Sequence, residues 1–112
     1  MEALKVLNDF LRAIKDDSRV DPILVSVFIA LFQTWLEEGC KNPFVISCPD
    51  IMPLAKISGK ATYHRAMSAL SSYGYIRYEP SKSNKKRSIV YLIVKSGRNS
   101  ERDKGGKKDW YQ

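Results

Sequence analysis

The chain has 112 residues, 44% hydrophobic and 11% aromatic, which is material for one domain with one core and too apolar and aromatic for a disordered chain. Its formal net charge of +7 favours a polyanionic partner, either nucleic acid or an anionic membrane surface. The longest uncharged stretch, Pro22 to Leu36, is too short for a membrane span and contains Ser26, Gln33 and Thr34, so no membrane partner is expected.

The N-terminal run MEALKVLNDFLRAIKDD lacks the basic start and apolar stretch of a secretory signal, and a cytoplasmic location is expected. The charge is uneven along the chain. Residues 1–54 carry five basic and eight acidic residues, a balance of −3, whereas residues 55–112 carry fourteen basic and four acidic, a balance of +10. Such asymmetry points to a localised charged surface, against the plainer alternative of a soluble protein with a basic tail. Cys40 and Cys48 form no CxxC pair and no zinc-ligand set, and are expected to be buried or semi-buried reduced thiols.

In chain order, residues 2–15 read as an amphipathic helix with Leu4, Leu7, Phe10, Leu11 and Ile14 on its apolar stripe. Asp16-Asp17-Ser18-Arg19 is a polar break. Asp21-Pro22 is a strong helix start, because Asp caps free N–H groups and Pro suits the first helical position. This second helix is expected to reach about Glu38, with Gly39 just beyond it. Its apolar residues cover almost the whole circumference, which predicts burial on more than one side. One side would take the N-terminal helix, from the same chain or from a partner.

Phe44-Val45-Ile46-Ser47 reads as a short strand, and Pro49 opens a short helix that Pro53 limits. After the turn Lys56-Ile57-Ser58-Gly59, a helix is expected from about Gly59 to Ser72, with Ser58 as N-cap. Tyr63, Ala66, Met67 and Leu70 form its buried stripe, and Gly74 its left-handed end. Strands at Tyr75–Glu79 and Ser88–Val94 flank a basic loop, and from Lys95 onward the pattern is that of a solvated basic tail in which Trp110 and Tyr111 have no assigned role.

Helix, short strand, short helix, turn, helix and two-stranded hairpin is the order of a winged helix-turn-helix domain. The expectation is therefore an α+β winged helix, with a three-helix core and a two-stranded wing, preceded by an extra N-terminal amphipathic helix. The division is 1–18 for that helix, 19–94 for the domain and 95–112 for the tail. In such a domain the second helix of the pair enters the DNA major groove. Here it presents Ala61, Arg65, Ser68, Ala69 and Ser72 away from the apolar stripe, mostly small side chains that allow close approach. Arg65 is the long donor suited to guanine O6 and N7. Lys60, Thr62 and His64 flank it near a helix N-terminus suited to phosphate, with Ser58 just before. Lys82, Lys85, Lys86 and Arg87 crowd the hairpin tip and are expected on phosphates, where they add affinity without sequence choice.

The run Ser58-Gly59-Lys60-Ala61-Thr62-Tyr63-His64-Arg65-Ala66-Met67-Ser68-Ala69-Leu70, followed by Tyr73-Gly74-Tyr75-Ile76, resembles the winged helix-turn-helix domains of bacterial transcriptional regulators and replication initiators, including those on mobile elements. The resemblance covers about residues 22–93. It implies DNA contacts at Lys60, Thr62, His64 and Arg65 and wing contacts at Lys82, Lys85, Lys86 and Arg87. Pro53 within the short helix from Pro49 to Lys56, the very apolar preceding helix and residues 1–20 depart from the family pattern.

The leading expectation is a transcriptional regulator that binds double-stranded DNA, with a homodimer formed through the N-terminal helix. The alternatives are a replication or recombination accessory protein of a mobile element, a winged helix used for protein assembly, and RNA binding through the basic tail. No glycine-rich phosphate loop, catalytic carboxylate pair or nucleophile motif is present, so a non-enzymatic protein without cofactor or metal is expected.

Overall fold

The computed structural model describes residues 2–80 and 87–93. These form a small compact α+β domain with four helices and one three-stranded antiparallel sheet. The order is α1 (Glu2–Lys15), α2 (Pro22–Glu37), β1 (Phe44–Ser47), α3 (Cys48–Ala55), α4 (Lys60–Ser72), β2 (Ile76–Glu79) and β3 (Arg87–Leu92). This arrangement is compatible with the expected winged helix. The expected tail lies outside the described residues.

Helix α2 is the centre of the core. Asp21, in an extended conformation, accepts the Leu24 N–H on its Oδ1 at 2.9 Å, and Pro22 occupies the first turn as expected. Leu24, Val27, Phe28, Ala30, Leu31, Phe32 and Trp35 are buried, which leaves only a narrow arc around Ile29, Gln33 and Glu37 in water. The helix ends at Gly39 and Cys40, both left-handed, where the Cys40 N–H returns to the Trp35 carbonyl at 2.9 Å. Cys40 is consequently exposed, not buried or semi-buried as expected, because it sits on the outside of this turn. Cys48 is half-buried.

Helix α1 covers one side of α2 from within the same chain. Phe10 stacks on Phe28, with ring centroids 3.7 Å apart and planes 8° from parallel, and meets Tyr75 edge-on at 5.4 Å. That contact turns the helix away from the expected leucine stripe. Val6 and Phe10 are fully buried, with Ala3, Leu7, Ala13 and Ile14 packed beside them, while Leu4 and Leu11 remain 66% and 43% exposed.

The two-stranded hairpin of the expectation is one strand short. Strand β3 lies in the middle of the sheet, with β1 pairing Phe44 to Val90 and β2 pairing Ile76 to Leu92. Beyond β1, Asn42 continues the ladder with its side chain: Oδ1 accepts the Leu92 N–H at 3.0 Å and Nδ2 donates to the Leu92 carbonyl at 3.1 Å. The amide stands in for a peptide group where Pro43 has no N–H to offer. Phe44, Ile46, Ile76, Val90 and Leu92 face the core, and Val45 and Ile89 pair on the outer face.

Helix α3 starts at Cys48, one residue before Pro49, and ends at Lys56 in the left-handed region (φ 61°, ψ 41°). Its last turn is held to α2 by a hydrogen bond from the Ser26 hydroxyl to the Ala55 carbonyl. Helix α4 begins at Lys60, so its N-cap is Gly59, not Ser58. The Gly59 backbone is extended and its carbonyl accepts the Tyr63 N–H at 3.1 Å, which closes the first helical turn one residue later than expected. At the other end Gly74 is left-handed as expected, and the Tyr75 N–H reaches the Leu70 carbonyl at 3.0 Å.

The polar break before α2 proves to be a clamp. Asp17 takes two bonds from the Arg19 guanidinium, both 2.8 Å, and one from the Tyr75 hydroxyl at 2.6 Å. Arg19 also lies over the Tyr73 ring, 4.1 Å from its centroid. The α1–α2 turn is thereby tied to the exit of α4. The Arg19 hydrogen bonds, aided by the one from Tyr75, hold the Asp17 carboxyl well below the usual carboxylate range, although partial burial opposes them. Because the folded state favours ionised Asp17, its stabilisation is present above the ordinary carboxylate value of about 4 and fades as pH falls below it. Thermal denaturation of Asp17→Asn against the parent chain should therefore show a stability gap at pH 7 that narrows toward pH 2; a gap independent of pH would rule out the clamp as the source.

Candidate nucleic-acid interface

Helix α4 is amphipathic in the simplest sense. Tyr63, Ala66, Met67 and Leu70 are buried against α2, α3 and the sheet, as the spacing predicts. Burial pushes the Tyr63 hydroxyl well above its ordinary value, so this residue belongs to the core and carries no charge. On the opposite side Lys60, Ala61, His64, Arg65, Ser68 and Ser72 are exposed, and they occupy one continuous arc at helical spacing. Ala61 and Ser68 lie at its centre, Lys60 and His64 toward one flank, and Arg65 and Ser72 toward the other. Thr62 and Ala69 are half-buried at the border, which moves Thr62 partly off the face expected for it. The His64 ring stands edge-on to Tyr63 at 5.0 Å.

The charge on this face is unopposed. No acidic residue occurs between Asp50 and Glu79. Among the described residues the ion pairs are Lys5–Asp9, Arg19–Asp17 and Arg77–Glu79, and none involves Lys60 or Arg65. Lys60 and Arg65 are therefore exposed beside small side chains with no ion-pair partner among the described residues. The N-terminus of α4 adds to this. Gly59 offers no side-chain cap and the first turn holds no acid, so the early N–H groups keep their partial positive charge. Ser58 is exposed in the preceding turn.

Of the expected wing residues only Arg87 falls within the described part. It is exposed at the start of β3, opposite Ser47 of β1. Lys82, Lys85 and Lys86 lie outside the described residues. Arg77, on the outer sheet face, is engaged by Glu79 at 3.1 Å and sits 5.2 Å from the Tyr91 ring centroid. Lys56, which the sequence places in the turn before α4, carries no expected contact. It is exposed in the turn between α3 and α4.

Among the described residues no group of three His, Cys, Asp or Glu side chains could hold a metal ion, and no helix is long and apolar enough to cross a membrane. In comparisons with known proteins the chain matches no family model, no curated protein and no solved structure.

Gly59 has φ −103°, and a Cβ there would meet only the Thr62 hydroxyl at an ordinary 3.7 Å, so side chains are tolerated. An acidic cap would accept from one of the free N–H groups and interact favourably with the positive end of the helix dipole. Gly59→Asp should raise unfolding stability by about 0.3–1 kcal/mol in chemical denaturation while weakening any polyanion bound at this end. Loss of stability in this variant would contradict the uncapped geometry.

Proposed function

We propose that the chain is a winged helix-turn-helix module that binds double-stranded DNA, most simply as a transcriptional regulator and not as an enzyme. Helix α4 lies in the major groove, and the loop between β2 and β3 rests on the phosphate backbone. The observation that carries this reading is the exposed face of α4, where Lys60 and Arg65 flank small side chains with no carboxylate partner among the described residues. Small central residues permit close approach to base edges, and the planar fork of Arg65 suits a paired contact to guanine O6 and N7. Lys60, Lys82, Lys85, Lys86 and Arg87 supply the phosphate contacts.

Fluorescence anisotropy with duplex DNA tests the proposal. With about five phosphate contacts, log K against log salt should slope near −4 to −5. In a duplex selected from a random pool, Arg65→Ala should cost about 1–3 kcal/mol and relax sequence choice. A folded chain with no duplex affinity, or a flat salt profile, would reject DNA binding in favour of an assembly role.

The same reading assigns α1 a second use. Once Val6 and Phe10 are buried in the chain's own core, Leu4 and Leu11 remain exposed one above the other, two helical turns apart. They form the surface on which two copies pair to span paired half-sites. Sedimentation should give a dimer for the intact chain and a monomer for the Leu4→Ser/Leu11→Ser variant, which leaves Phe10 on Phe28; monomers in both cases would remove the dimer.

A further inference from the structure

We infer that Lys56 is a phosphate-contacting residue of the α4 interface, held in place at some expense to the stability of the fold. The inference rests on the DNA reading above and adds a residue to it. Helices α2 and α4 both turn left-handed at their C-terminal ends on glycine, Gly39 (φ 86°) and Gly74 (φ 90°). Helix α3 makes the same kind of turn on a lysine, at φ 61°. Apart from Cys40, which follows Gly39, Lys56 is the one non-glycine residue with positive φ among those described. The left-handed region crowds a Cβ against the backbone, and glycine enters it freely.

The backbone has no freedom to relieve this. The Lys56 N–H bonds to the Pro53 carbonyl at 3.2 Å, and the Ile57 N–H to the Met52 carbonyl at 3.0 Å. Ile57 then packs against the core. The turn is therefore fixed on both sides of Lys56, and the residue is exposed. No ion pair, hydrogen bond or ring contact engages that side chain among the described residues. No intramolecular contact among the described residues accounts for a lysine at this position; a phosphate of the bound duplex does. Lys56 precedes Lys60 by four residues, in the turn that leads into α4, where a groove-bound helix has a phosphate strand alongside.

The test separates stability from binding, because the two should move in opposite directions. Lys56→Gly should raise Tm by roughly 2–6 °C by removing the left-handed Cβ. It should weaken duplex binding about three- to tenfold on all sequences alike, with the salt slope less negative by about 0.9. Lys56→Asn, neutral and tolerant of this conformation, should follow it in binding, and Lys56→Arg should keep the parent affinity. Lys15→Ala removes one exposed charge from α1 as a control for net charge. Unchanged affinity and slope in Lys56→Gly, while Arg65→Ala loses affinity, would overturn the role of Lys56 and leave the DNA reading standing. An equal loss in Lys15→Ala would also overturn it, and failure of the parent chain to bind duplex would overturn both.

Discussion

Seven apolar side chains of α2 leave water only if neighbouring elements cover the helix on more than one side. Burying a Val, Leu or Phe side chain is worth about 1.5–3 kcal/mol, so covering such a helix outweighs any local preference of the segments that do it. Phe10 of α1 caps Phe28 on one side, α3 is anchored through Ala55 to Ser26, and α4 closes another side. Because α4 can turn only one face inward, its opposite face is left to solvent. The position of the candidate interface is thus a consequence of how α2 is buried.

Charge distinguishes the working surface from the rest. Two cations elsewhere are engaged within the chain: Arg19 by Asp17 and the Tyr73 ring, Arg77 by Glu79 and Tyr91. Those on α4 have no such partner among the described residues, and the chain offers no acid between Asp50 and Glu79 to neutralise them. An exposed ion pair contributes little to stability, so the absence of partners at Lys60 and Arg65 costs the fold almost nothing while leaving their donors available to an anion. The small side chains between them serve the same end, since a helix enters a groove only as far as its bulk allows.

A helix that reads a surface must also be held at a fixed angle. Two devices secure α4 at its C-terminal end: the left-handed Gly74 and the bonds that join Asp17 to Tyr75 and Arg19. The second device links α1, its following turn and the start of β2 in one network, so the N-terminal helix is part of the mount for α4 and not an appendage. Burial of Phe10 between Phe28 and Tyr75 enforces the same connection from the apolar side.

Much of this was legible in the residues because it is local. The Asp21-Pro22 start of α2, the Tyr63–Leu70 stripe of α4, its solvent face and the turn at Gly74 follow from capping chemistry, helical period and the special conformational freedom of glycine, all of which act within a few residues. Contacts between distant segments were not legible. Leucines and Val6 offer α1 two plausible apolar stripes, and only the ring stack on Phe28 selects between them. The same holds for β1 joining β3 with Asn42 extending the pair, for Asp17 reaching Tyr75 across 58 positions, and for Cys40 lying outside its turn. Sequence by itself determined which elements form and which side of α4 is apolar; tertiary structure alone decided which stripe of α1 is buried and which polar groups pair, because those depend on three-dimensional proximity that no periodicity encodes.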